Sequence, residues 1–363
     1  MYKRISSVPK LGRFITAAAM ALASTTVFAD TISPTSFSAS LGVGESVTIR
    51  KTVVVEAAGP SAATIDAHFL IDTSGSMGSV INNAKTAAGD ILNALSAFGD
   101  LASSVGVYSE RALAGDAVRS GLTTTSATTI SAINAVTLGD PDFGGDYPES
   151  GDTAVDLATN NLAWRAGSNR FMFVLSDASM KGTDEATVIA SLAAKDVTVI
   201  GLQFGGNCFS GEPGECSLTQ SIAALGGTTF AGGTSPASLV SAITAGITSG
   251  FANYGKVTVD DLGGGLPEID VSTVCVSADI GACVGADAIG KYDRSIDRTF
   301  EYDVTFTRLA AGDKAFTTFA LVDGGIVARE SDRFTTGKVP EPGSLAMVGL
   351  ALAGLAAARR RRA

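Results

Sequence analysis

Between residues 63 and 252, short apolar runs alternate with segments whose apolar residues recur every three or four positions. The runs 65–71, 105–108, 170–175 and 197–202 read as strands. The first is largely apolar and the third and last strongly so, as expected of strands covered on both faces of a parallel sheet. Segments 77–95, 127–135, 153–164, 184–194, 218–225 and 236–251 read as helices. In the first of these, Val80, Ala84, Ala87, Ile91 and Leu95 share one face. Strands alternating with helices predict an α/β fold, a doubly wound, mostly parallel sheet of Rossmann-like type. After about Asn253 the period becomes two. Segments 256–260, 269–275, 298–306 and 315–321, separated by Gly- and Asp-rich turns, predict a small antiparallel β-sandwich. Ahead of the α/β region, 36–41 and 46–55 alternate in the same way around a turn at 42–45. Four strands make a thin sandwich. Strands from 31–60 are therefore expected to complete it, so that an α/β domain at 63–252 is inserted in the sandwich rather than simply followed by it at 253–337.

The two ends follow neither pattern. Residues 1–29 hold a basic region running to Arg13, an apolar stretch from Phe14 to Ala23, and small residues at Val27-Phe28-Ala29. That order is the one of a secretory signal peptide, cleaved before Asp30. At the other end, Pro340-Glu341-Pro342-Gly343 precedes an apolar stretch at 345–358 and the cluster Arg359-Arg360-Arg361-Arg362. Fourteen mildly apolar residues are short of the roughly 20 that a stable membrane helix needs. The arginines would hold that end on the cytoplasmic side during a transient inner-membrane association. Val339-Pro340-Glu341-Pro342-Gly343-Ser344, an apolar stretch and terminal arginines resemble the PEP-CTERM sorting signal of Gram-negative bacteria. The resemblance, confined to 339–363, implies cleavage near Pro342 by an exosortase-type processing enzyme. It also implies delivery to the cell envelope, its surface or the extracellular matrix, a setting associated with biofilm.

Charge sharpens the picture. The chain has 363 residues, of which 45% are hydrophobic and only 17% charged, with a net charge of −10. Eight of the 26 basic residues sit within 1–29 and 359–362, which leaves 18 against 36 acidic ones in the rest of the chain. So acidic a body argues against nucleic-acid binding and for solubility or cation uptake. Four cysteines fall into two close pairs, Cys208/Cys216 and Cys275/Cys283. In an exported chain these are expected to form disulfides, each closing a small loop. Zinc is the alternative, but the chain has no CxxC and a single histidine, His68, placed inside a strand where a structural role is expected.

The candidate chemistry lies at the end of the first apolar run, His68-Phe69-Leu70-Ile71-Asp72-Thr73-Ser74-Gly75-Ser76. One carboxylate and two hydroxyls on a tight loop at the carboxyl end of a strand suit a hard divalent cation. Asp72-Thr73-Ser74-Gly75-Ser76 resembles the DxSxS motif of von Willebrand factor type A (vWA) domains over about 63–252. Asp146-Tyr147-Pro148-Glu149 resembles the second metal loop of the A-type domains of integrin β subunits, and Asp177 ends a strand where A domains place a water-linked Asp. The resemblance implies a metal-ion-dependent adhesion site (MIDAS). Its ligands would be Asp72, Ser74, Ser76, Glu149 and Asp177, with Asp146 near a second cation. Mg2+ is the expected ion, with Mn2+ or Ca2+ as alternatives. Most A domains carry a Thr in the second loop, so this loop departs from their pattern. Integrin β domains also continue the motif with two acidic residues that hold a regulatory cation. Ser79 and Val80 stand there instead, which implies no adjacent ion.

Two neutral hydroxyls leave such a cation under-neutralised, so it favours an acidic oxygen from a partner. No histidine is placed to act as a base, and the chain has no P-loop and no GxGxxG after a strand. The expectation is an exported binding protein rather than an enzyme. Its partner would be a protein or an acidic polysaccharide that supplies a carboxylate. The alternatives are a structural matrix protein with a fold-stabilising metal and, third, a metal-dependent hydrolase.

Overall fold

The computed structural model describes residues 30–143, 145, 148–205 and 217–336. Three strands open it: β1 (Thr31–Ser33), β2 (Ser36–Leu41) and β3 (Ser46–Val55). An α/β unit follows, with β4 (Ala63–Asp72), α1 (Gly78–Ser96), β5 (Gly99–Tyr108), α2 (Ala114–Ala117), α3 (Ser126–Ala135) and α4 (Gly151–Asn161). It continues through β6 (Asn169–Ser176), α5 (Glu185–Ala194), β7 (Val197–Gln203), α6 (Leu218–Ala224), β8 (Thr228–Ala231) and α7 (Pro236–Ala252). The last strands are β9 (Asn253–Asp260), β10 (Ile269–Ala278), β11 (Ala282–Val284), β12 (Asp287–Asp293), β13 (Arg298–Arg308), β14 (Lys314–Val322) and β15 (Gly325–Thr336).

The α/β sheet has the order β5-β4-β6-β7-β8 and is parallel throughout. β4 is buried at every position, as expected of a central strand covered on both faces, and its buried Asp66 and His68 are each hydrogen-bonded. Helices α1, α3 and α7 cover one face, and α2, α4, α5 and α6 the other. The doubly wound α/β fold expected from the alternation is the fold observed. From β4 the chain turns through α1 to β5 on one side, whereas β6 lies on the other side of β4. The carboxyl ends of β4 and β6 therefore flank the switch point, where open α/β sheets bind their ligands.

The antiparallel part is a sandwich of two sheets, β1-β3-β13-β10 and β11-β12-β9-β14-β15-β2. Strands from before and after the α/β unit meet in it. β3 runs antiparallel to β13 from Val55 opposite Arg298 to Ser46 opposite Thr307, and β2 lies parallel to β15. The side chains between the sheets form one apolar core that includes Val53, Val259, Tyr302, Phe306 and Phe334. The two units are tied directly. Arg294 donates to the carbonyls of Phe251 and Glu56, the Ile326 amide to Gly167, and Arg329 to Ala62.

Local differences from the pattern have physical causes. β5 is ten residues long, where only 105–108 read as strand. Its buried Ser103 and Ser104 break the apolar run. They are satisfied by Thr129 Oγ1 at 2.8 Å and His68 Nδ1 at 2.9 Å. β15 is hidden from the pattern by charges on its inner face, Glu330 and Asp332. β8, β11 and β12 are short or mixed in composition and carried no signal, whereas β1 lies within the 31–60 stretch expected to supply strands. Helix α4 stops at Asn161, and Trp164 instead donates its indole N–H to the Thr159 carbonyl. Cys275 and Cys283 are disulfide-bonded with Cα atoms 5.3 Å apart, joining β10 to β11. Cys208 and Cys216 lie outside the described residues. Among the described residues no helix is long and apolar enough to cross a membrane, and the stretch at 345–358 lies outside them.

His68 is fully buried in β4. Its Nε2 lies near the Ala117 carbonyl but without hydrogen-bond geometry. Burial lowers its pKa from the ordinary 6.5 to about 3, with the Ala117 carbonyl opposing. A histidine whose folded value lies below its unfolded one destabilises the fold as it is protonated in the unfolded chain. Its full contribution is present above about pH 6.5 and is lost as pH falls toward about 3. Between pH 6.5 and 4.5 the wild type should therefore lose about 2–3 kcal/mol more than His68→Asn, at roughly 1.4 kcal/mol per pH unit. Urea unfolding of both proteins across that range checks it, and parallel curves would rule it out.

Candidate metal centre

The β4 run ends in Asp72, which the sheet places at the switch point with no exposed surface. Its two carboxylate oxygens are held from two directions. Oδ1 accepts the Ser74 amide at 2.8 Å, which turns the loop back over the strand end. Oδ2 accepts the Ser176 hydroxyl at 2.6 Å from the end of β6. A single 3-10 turn at Gly75–Met77 then leads into α1. Thr73 anchors the loop from below, donating its amide to the Tyr108 carbonyl at 2.8 Å and its hydroxyl to the Asp140 carbonyl at 2.6 Å. The Gly75 amide donates to the Phe143 carbonyl at 3.0 Å, so the segment ahead of the second loop packs on the first.

Ser74 and Ser76 bring their hydroxyls within 3.4 Å of each other, and Ser76 donates to Asp177 Oδ1 at 3.0 Å. Asp72, Ser74, Ser76 and Asp177 are thus brought together by β4, β6 and the turn before α1. Glu149 joins them from the second loop. Its backbone is fixed beside the segment after β6: the Glu149 amide donates to the Ser179 carbonyl and the Lys181 amide to the Glu149 carbonyl. Glu149 as a whole is 3% exposed, and its Oε2 has no hydrogen-bond partner among the described residues. Asp146 lies outside the described residues.

Electrostatics bind this set into one unit. Burial raises the Asp72 carboxyl to about 6, against the hydrogen bonds from Ser176 and Ser74. Burial raises Glu149 to about 8, and the negative charges of Asp72 and Glu110 add to the rise while Lys181 opposes it. Burial also raises Asp177, with the Ser76 hydroxyl opposing. Carboxyls that burial holds toward the protonated form, Glu149 with an added share from Asp72, are the groups a divalent cation would return to the charged form. Among the described residues no three His, Cys, Asp or Glu side chains come together tightly enough to hold a metal alone. The set is mixed, with two hydroxyls between the carboxyls, and all its donors are oxygen. That chemistry, together with the partnerless Glu149 oxygen, fits a hard cation.

Two further side chains belong to the site. Ser176 ties Asp72 to β6. The fully buried Tyr108 hydroxyl has no hydrogen-bond partner among the described residues, and burial beside Asp72 raises its pKa. The sequence signals nothing for Tyr108. For Ser176 the only hint is its place just before Asp177 at a strand end.

No curated protein matches the sequence. Among solved structures, a von Willebrand factor type A protein from Catenulispora acidiphila is similar over 85% of this chain and 72% of its own, at 15% identity and a TM-score of 0.41. An aerotolerance-related membrane protein from Bacteroides fragilis is similar over 51% of this chain and 99% of its own, at 14% identity and a TM-score of 0.39. BatB from Bacteroides thetaiotaomicron covers 51% of this chain and 98% of its own, at 16% identity and a TM-score of 0.39. The fold assignment rests on the strand order and not on these likenesses. The C-terminal segment is more specific. Residues 338–362 match the PEP-CTERM protein-sorting motif, so the chain carries a signal for export to the cell envelope or surface and for processing by exosortase-type sorting machinery.

Proposed function

We propose that this is an exported, vWA-type, metal-ion-dependent adhesion or ligand-binding protein. Asp72, Ser74 and Ser76 would hold Mg2+, or Mn2+ or Ca2+ in its place, with Asp177 and Glu149 completing the protein's share of the site. When bound, the cation supplies an electrophilic position that a partner's carboxylate can fill. The observation that carries this reading is the meeting of Ser76 and Asp177 at 3.0 Å beside Asp72, with the partnerless Glu149 oxygen, at the switch point of the sheet. The partner is a protein or an acidic polysaccharide of the envelope or matrix. Binding rather than turnover is part of the reading, because the only histidine lies buried in β4 against Ser104.

The test is titration calorimetry of the mature protein with MgCl2 and MnCl2, followed by its retention on an immobilised acidic polysaccharide with and without chelator. Saturable cation uptake and chelator-sensitive retention are expected. Retention that survives chelation would sink the proposal. A fold-stabilising metal is the second reading, favoured by the complete burial of Asp72. It predicts that chelation lowers the melting temperature and leaves retention unchanged.

A further inference from the structure

A second cluster of charges lies inside the sandwich, apart from the α/β sheet that carries the candidate metal centre. On β3 the inner face reads Val47, Ile49, Lys51, Val53, Val55, a lysine within an apolar stripe. On β15 the inner positions read Ala328, Glu330, Asp332, Phe334. β3 and β15 belong to opposite sheets, so the lysine meets the carboxylates across the core. Lys51 and Glu330 have no side-chain exposure, and Lys51 Nζ is in direct contact with Glu330 Oε2. Asp332 Oδ1 lies 3.8 Å from the same nitrogen. The Phe306 ring sits 5.0 Å from Nζ and packs against Phe334, which makes the surroundings apolar.

As an ion pair this arrangement is poorly served. Burying an ammonium and two carboxylates costs several kcal/mol per ion unless every polar atom is paired. Here Glu330 Oε1 and Asp332 Oδ1 have no hydrogen-bond partner among the described residues. Asp332 is held only on its other oxygen, by the Thr318 hydroxyl at 2.5 Å. An amide would remove two of the buried charges at once. It would keep one N–H, facing Asp332 Oδ1.

We propose that Lys51 and Glu330 form an intramolecular isopeptide bond, closed without any external reagent once the sandwich has folded. The ammonium first passes a proton to Asp332, which leaves a neutral amine. Nζ then attacks Cδ of Glu330 and the new C–N bond forms. One C–O bond of the carboxyl breaks, and the departing oxygen takes the proton back from Asp332 and a second from the nitrogen, leaving as water. Ammonium and carboxylate become amide plus water, with no change of oxidation state. Burial raises Asp332 against the Thr318 hydroxyl, which favours the protonated Asp332 through which the step passes, and it raises Glu330 against Lys51. The bond would join β3, before the α/β unit, to β15 at the end of the described chain, stapling one sheet of the sandwich to the other.

Mass spectrometry of the full mature chain tests this. The denatured wild type is expected to be lighter than its sequence mass, disulfides allowed for, by one water. Its digest should contain a branched peptide joining the Lys51 and Glu330 segments. Lys51→Arg and Glu330→Ala should show the full mass and no branched peptide. Asp332→Asn, shown to be folded by circular dichroism, should lose most of the branched species. A folded wild type of full mass without the branched peptide overturns the proposal, as does a branch to Asp332 in place of Glu330. Complete cross-linking in Asp332→Asn overturns the role given to Asp332.

Discussion

Asp72→Asn is expected to weaken Mg2+ binding by more than about 100-fold, beyond the 10–100-fold typical of removing an outer-layer group at a metal site. Asparagine keeps the shape of the side chain. Its amide oxygen can still accept the Ser74 amide, and the Ser176 hydroxyl can rotate to accept from its nitrogen. The loop before α1 should therefore stay in place while the one fully buried charge of the set is lost. Asp72→Ala is the poorer variant, because it leaves the Ser74 and Ser176 donors without their acceptor at a cost of about 1–3 kcal/mol each. Calorimetry should show no cation uptake by Asp72→Asn at concentrations that saturate the wild type, with unfolding midpoints close to those of the metal-free wild type. Retention on the acidic polysaccharide should fall in parallel. Unchanged affinity in the folded variant would remove Asp72 from the site.

Arg165→Ala should destabilise the fold by about 3–5 kcal/mol, a cost set by the buried charge it strands. Asp66 sits in the amino-terminal half of β4 with no exposed side-chain surface, and Arg165 Nε donates to its Oδ1 at 2.6 Å. The same guanidinium donates to the Ile65 and Asp100 carbonyls, at 2.6 and 2.8 Å, and pairs with Asp100. It therefore closes the amino-terminal edge of the sheet, opposite the candidate metal centre. Truncation leaves Asp66 with only the Arg165 amide and the Ser168 hydroxyl. Urea titrations of wild type and variant measure the loss. A change below about 1 kcal/mol, the usual ceiling for an exposed pair, would mean that water reaches Asp66 in the variant. Asp66→Asn combined with Arg165→Ala should recover part of the loss, since no charge is then left buried.

Much of the fold was legible because the inner strands of the α/β sheet are mostly apolar. The runs 171–175 in β6 and 69–71 in β4 are continuous and that in β7 nearly so, as expected of a sheet covered on both faces. Legibility failed where polar side chains point inward. Ser103 and Ser104 hide the first half of β5, and their partners, Thr129 and His68, come from other elements. Glu330 and Asp332 hide β15 in the same way. At the candidate metal centre, the DxSxS order names Asp72, Ser74 and Ser76 because all three lie on one turn. Ser176 and Tyr108 reach the same place from β6 and β5, and no local spacing announces them.

By itself the sequence determined the doubly wound α/β class, through the period of its apolar residues, and the sorting signal, because both depend on order along the chain. The neighbours across the sandwich were decided by the tertiary structure alone. Lys51 reads as one charge in an alternating strand until the pairing of β3 with β13 and of β15 with β14 sets it against Glu330 and Asp332. A sheet register joins residues hundreds of positions apart, and the choice among registers is made by the packing of both sheets at once.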